Sequence, residues 1–146
     1  MKIAFANDHA GYEVRQALID FLKGLGHSVT DFGWAQKTSC DYSDFAIPAS
    51  ISVSKGENDF GILLCGSGIG MSIVANRFNN VRAALCWNEE VAKLSRQHNN
   101  ANILCLPSRV LQLEELKKFI AIWLSTPFCN EERHQNRINK IPKGII

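Results

Sequence analysis

Apolar and polar positions alternate between two periods along the chain. Lys2–Ala6 is a short apolar run that reads as a buried strand. Val14, Ala17, Leu18, Phe21, Leu22 and Leu25 then recur on one face of a helix, and Gly24 and Gly26 stand where a left-handed cap ends it. His27–Phe32 predicts a second strand and Gly33–Asp41 a loop. Asp44–Ser54 predicts a helix in which Pro48 is tolerable only if the first turn starts near Asp44. Phe60–Cys65 predicts a third strand, Gly68–Arg77 a helix, Val81–Trp87 a fourth strand, Asn88–His98 a helix and Ala101–Leu106 a fifth strand. Leu113, Leu116, Phe119, Ile120, Trp123 and Leu124 define a further amphipathic helix, and Glu131–Asn139 a short polar one. Lys140–Ile146 reads as a loose tail.

Strands this apolar, alternating with helices, predict an α/β fold: a five-stranded parallel sheet covered by helices on both faces in three layers. With right-handed crossovers the expected order is 2-1-3-4-5, a Rossmann/flavodoxin-like arrangement. With no internal repeat or linker, 146 residues fit a single domain over 1–146, within the roughly 100–200 residues usual for one. Apolar residues at 46% and charged ones at 21% exclude disorder, and a net charge of +2 gives no argument for nucleic acid. The apolar runs Phe119–Leu124 and Ile62–Cys65 fall far short of the roughly 18 residues of a membrane span. Asp8 and His9 interrupt any signal peptide. Cysteine stands at 40, 65, 86, 105 and 129, an odd count without CxxC spacing. That pattern predicts reduced thiols in a cytoplasm, with no disulfide framework and no structural metal.

Ligands in open parallel sheets bind beyond the carboxyl ends of the strands, where strand order reverses, here between strands 1 and 3. Asn7-Asp8-His9-Ala10-Gly11 follows strand 1, and Cys65-Gly66-Ser67-Gly68-Ile69-Gly70 follows strand 3. The second loop lets backbone N–H groups approach an oxygen anion at a helix start. A dinucleotide fingerprint would need glycine at 71, where Met71 stands, and there is no P-loop Lys-Ser/Thr. The loop therefore reads as a cradle for phosphate, carboxylate or enediolate. Cys65 lies where strand meets helix start, a setting that favours thiolate. Cys86 and Cys105 also end strands but read as small buried hydrophobes, and Cys40 and Cys129 as incidental loop residues.

Ser95-Arg96-Gln97-His98-Asn99 closes a helix before strand 5. His and Asn at the mouth of the sheet could supply a general acid or base and an oxyanion donor, or simply cap the helix. Arg133, His134 and Arg137 bring positive charge to one helix face, as a phosphate clamp or as a solvated basic face. His27 in its turn carries no function.

These stretches, together with Arg133-His134-Gln135-Asn136-Arg137, resemble the ribose-5-phosphate isomerase B family, which includes allose-6-phosphate and galactose-6-phosphate isomerases. The resemblance runs from residue 2 to about residue 140. It implies interconversion of D-ribose 5-phosphate and D-ribulose 5-phosphate in the non-oxidative pentose phosphate pathway, with no metal or cofactor. It also implies a homodimer, or a dimer of dimers, whose sites are completed across the interface. By position, Cys65 is the base that moves a proton between C2 and C1, and His98 with Asp8 opens the sugar ring. Ser67, Asn99 and the amides of Gly66, Gly68, Ile69 and Gly70 hold the enediolate, while His9, Arg109, Arg133 and Arg137 bind substrate, the arginines chiefly its phosphate. Cys65 and Met71 place the chain in the branch with a cysteine base. Ser43 replaces a usual proline, and Pro107 replaces a frequent glycine, which bears on where Arg109 sits. An aldose 6-phosphate substrate, or a phosphate- or nucleotide-binding module without catalysis, is the alternative.

Overall fold

Four apolar runs and the more polar, exposed Ser28–Asp31 pair side by side. In the computed structural model, which describes residues 1–144, β1 (Lys2–Asn7), β2 (Ser28–Asp31), β3 (Phe60–Cys65), β4 (Ala83–Leu85) and β5 (Ile103–Pro107) form one parallel sheet. The connecting helices are α1 (Tyr12–Gly24), α2 (Tyr42–Ser54), α3 (Ile69–Ala75) and α4 (Glu89–Asn99), followed by α5 (Leu113–Ser125) and α6 (Glu132–Asn139). Side chains alternate across the strands, as extended backbone requires. Ile3, Phe5, Ile62, Leu64, Leu104 and Leu106 point to one face and pack with Leu18 and Leu22 of α1, Ala92 of α4 and Leu116, Ile120 and Trp123 of α5. Ala4, Ala6, Leu63, Cys65, Ile103 and Cys105 point to the other, against Ala46 and Ala49 of α2 and Met71 and Ala75 of α3. The three predicted layers are present.

The strand order is β2-β1-β3-β5-β4, not 2-1-3-4-5. Two physical facts exchange the last two strands. All five residues of β5 are buried, which suits an interior strand, whereas the three of β4 are only partly buried, which suits an edge. Handedness then sorts the helices: steps in one direction along the sheet use the α2 and α3 face, and the returns β1 to β2 and β4 to β5 use the α1 and α4 face. The reversal between β1 and β3 is unaffected.

Helix α2 begins at Tyr42, so Pro48 lies beyond its first turn, contrary to the condition set by the sequence. The helix gives up the bond that Pro48 would have donated to the Asp44 carbonyl, on an exposed turn where solvent can replace it. The chain after Lys140 is not loose as far as it is described. A Cβ on Gly144 would stand 2.6 Å from the Phe78 carbonyl carbon, so the segment folds back onto the α3–β4 connection. Residues 145 and 146 of the predicted tail lie outside the described residues.

Candidate active site

The carboxyl ends of β1, β3 and β5 converge at the strand-order reversal. Asp8, 5% exposed, donates its N–H to the Leu64 carbonyl, and its carboxylate accepts the Ala10 N–H at 2.8 Å, capping the short turn His9–Gly11. Asn7 is fully buried and donates to the carbonyls of Asp8 and Trp34, tying the β2–α2 loop to the end of β1. Half-buried His9 accepts the Cys40 N–H at Nδ1, at 3.3 Å.

Cys65 ends β3 and is 4% exposed. Its sulfur accepts the Gly68 N–H at 3.1 Å. Gly68 makes this possible. It has φ +74°, and a Cβ there would stand 2.5 Å from Leu85 Cδ1 and 3.1 Å from the Leu106 carbonyl carbon. The Ser67 hydroxyl accepts the Ile69 N–H at 3.2 Å, so two amides of the loop are aimed inside it. Arg109 donates its N–H to the Gly66 carbonyl, and its side chain lies over Gly66, with Cδ 3.1 Å from where a Cβ would be. Pro107 pairs with Cys65 in register, and its carbonyl accepts from Val110 and Leu111 in the turn that presents Arg109.

The other half of the predicted constellation is elsewhere. Helix α4 runs back from the carboxyl end of β4 to the amino end of β5, so His98 and Asn99 lie at the amino rim of the sheet and not at its mouth. Asn99 and Asn100 carbonyls accept the Arg82 Nε ahead of β4, and Asn102 accepts the Gly61 N–H at the start of β3. From Gly61 to Cys65 the strand alone spans about 13 Å. The helix cap is made by Asn100, at φ 46°, which leaves His98 half-buried and Asn99 exposed. His98 stacks on His134 of α6 with centroids 4.2 Å apart. His134 is therefore turned inward, off the exposed face that carries Arg133 and Arg137. Burial, and then the neighbouring His98 and Arg133, hold its imidazole below the ordinary histidine range.

Other residues join these halves unforeseen. Tyr42 lays its ring against Gly70, where a Cβ would meet ring carbons at 2.6–2.8 Å; an aromatic opening a helix after a long loop was the only sequence signal. Arg96 is buried, donates to the Thr126 and Ala101 carbonyls and to Asn100 Oδ1, and lies over Phe60 and Trp123. It thereby ties the end of α4 to the chain leading into α6. Cys40 touches His9, with its sulfur 3.8 Å from Nδ1. Burial pushes the Cys86 thiol up to about 11, and Cys105 likewise upward, as small core residues.

A parallel α/β sheet with a strand-end thiol, a glycine loop and imidazole and guanidinium groups at its reversal point belongs to the proteins that handle small anionic ligands at the carboxyl rim. The comparisons narrow that class. The Ribose/Galactose Isomerase family profile matches residues 3–141. Ribose-5-phosphate isomerase B of Escherichia coli K12 is 40% identical over 140 residues, covering 96% of this chain and 93% of that protein. The structure of ribose-5-phosphate isomerase B from Clostridium thermocellum superposes with a TM-score of 0.92 at 43% identity, covering 96% of this chain and 94% of that one. The Mycoplasma genitalium enzyme, solved with bound ribulose-5-phosphate, gives 0.91 at 39% identity, covering 95% and 92%. The chain belongs to the ribose/galactose isomerase family, and it is an isomerase. No helix among the described residues is long and apolar enough to cross a membrane.

Proposed function

We propose that the protein interconverts D-ribose 5-phosphate and D-ribulose 5-phosphate through ring opening and a cis-enediolate. The observation that carries this is the Cys65 sulfur facing the Gly68 N–H at the strand-order reversal. A proton next to a carbonyl is weakly acidic, so its removal needs a base and a preorganised set of donors for the developing oxyanion. One loop supplies both. In this reading Asp8 and His98 deliver the proton that opens the ring, and Cys65 takes the proton from C2 and returns it to C1. Ser67, Asn99 and the amides from Gly66 to Gly70 hold the enediolate oxygens, the Gly68 and Ile69 N–H groups turning to them from the Cys65 sulfur and the Ser67 hydroxyl. His9, Arg109, Arg133 and Arg137 bind the substrate, the arginines chiefly its phosphate, and no metal or cofactor enters the chemistry.

The two halves lie at opposite rims of the sheet, too far apart for one chain to bring His98 to Cys65. The reading therefore requires a second copy, whose α4 and α6 ends cover the first copy's carboxyl rim. Exposed Ile69 and Ile73 on α3, Trp87 before α4 and Val110 after β5 supply apolar surface for that contact beside the glycine loop. Each chain is one sugar-phosphate isomerase domain working as a homodimer or dimer of dimers, in a reducing cytoplasm that keeps Cys65 free to take a proton.

Cys65→Ala tests the base. Turnover of ribose 5-phosphate is expected to fall by about 10²–10⁴-fold while sugar-phosphate affinity stays within a few-fold; wild-type turnover would remove Cys65 from the role. A kcat/KM favouring allose 6-phosphate over ribose 5-phosphate would overturn the pentose assignment.

A further inference from the structure

Outside the sugar-phosphate machinery, the loop between α5 and α6 gathers three metal-ligating side chains. One donor atom each from Cys129, Glu131 and His134 lie within 4.8 Å of one another. The loop is held in place by the Cys129 N–H, which donates to the Gln97 carbonyl at 3.2 Å, and by the Glu131 carbonyl, which accepts the His134 N–H. His134 is 3% exposed, and its Nε2 is buried with no hydrogen-bond partner among the described residues. Glu131 meanwhile accepts from Arg133 Nε at 2.7 Å.

We infer that Cys129, Glu131 and His134 form a binding site for a borderline-soft divalent cation of the Zn²⁺ type, which acts on the enzyme as an inhibitor. The donor set argues for the class: thiolate and imidazole with a single carboxylate suit Zn²⁺ and Co²⁺ and do not suit Mg²⁺ or Ca²⁺, which take oxygen. Tetrahedral bonds of roughly 2.0–2.3 Å place donors about 3.5 Å apart, so the side chains need close by only about an ångström. Two of the three are exposed and free to turn. On binding, the Cys129 thiol proton passes to solvent, and the fourth position is left to solvent. The inhibitory part rests on the isomerase reading above. The cation draws Glu131 away from Arg133 and pulls His134 from beneath His98, displacing two groups that the reaction needs.

Cobalt reports the site directly. Co²⁺ added to the wild-type protein should give a thiolate-to-cobalt charge-transfer band that saturates near one equivalent per chain. Cys129→Ser and Glu131→Gln should abolish or weaken it, Cys40→Ser should keep it, and Zn²⁺ should displace it. Absence of the band in the wild type, or its persistence in Cys129→Ser, would overturn the site. Cys129 takes no part in the sugar chemistry, so Cys129→Ser should retain wild-type turnover while needing about tenfold more Zn²⁺ or above for half-inhibition. Equal inhibition of both proteins would overturn the inhibitory role. The optical arm reads the metal site whether or not sugar phosphate is turned over, so the two readings fail separately.

Discussion

At residue scale, Gly68 shows how much of the site depends on one missing Cβ. Its φ of +74° turns its N–H to the Cys65 sulfur, and Leu85 and Leu106 close over the space a side chain would take. Gly68→Ala should lower stability by about 1–3 kcal/mol in urea unfolding, from left-handed strain and overpacking together. It should lower kcat as well, because the donor leaves the sulfur. Cys86 gives a second residue-level prediction. Its thiol titrates near 11 in the folded protein against an ordinary 9.0, because burial penalises the thiolate. Above pH 9 the unfolded chain gives up that proton and the folded chain keeps it, so stability falls as pH rises through that window, by about 2–3 kcal/mol at most. The difference in unfolding free energy between wild type and Cys86→Ala, followed from pH 8 to about 11, should show this drop.

At the scale of elements, periodicity located the five strands and six α-helices of the described residues but not the short turn of helix at His9–Gly11, and β3 was expected with the bounds it has. The exchange of β4 and β5 was not legible, because Val81–Trp87 and Ala101–Leu106 are both apolar. Only packing shows that Ala83–Leu85 stays partly exposed while Ile103–Pro107 is enclosed. Two elements carry predictions. Pro48 deprives the second turn of α2 of a bond at exposed Asp44, so Pro48→Ala should stabilise the fold by about 1–3 kcal/mol in urea unfolding. Arg96 holds α4 to the approach to α6 through Thr126, Asn100 and Ala101. Arg96→Met should keep the apolar contact with Phe60 and Trp123 but loosen His98, lowering kcat more than it raises KM for ribose 5-phosphate.

At the scale of the whole molecule, the two half-sites face away from each other across the sheet. If one copy's Cys65 works with another's His98, mixing inactive Cys65→Ala with impaired His98→Asn should restore activity. Random re-pairing after mild dissociation makes half the dimers mixed, and each mixed dimer has one intact site, giving about a quarter of wild-type activity. No recovery in the mixture would overturn the pairing of one copy's Cys65 with another's His98.

The candidate residues were legible because chemistry leaves local marks: a thiol before a glycine loop, an Asp-His pair after a first strand, two arginines one helical turn apart. The contacts of Tyr42 with Gly70, Cys40 with His9 and His134 with His98 were not, since each joins segments distant in the chain. The sequence by itself determined the α/β class, the alternation of elements and the residue types at the reversal point, because hydrophobic period and turn chemistry are local. Only the tertiary structure decided which strand takes the edge, which way each helix returns and therefore at which rim His98 stands. Those depend on which apolar surfaces are best enclosed once all five strands and their right-handed crossovers compete for one sheet.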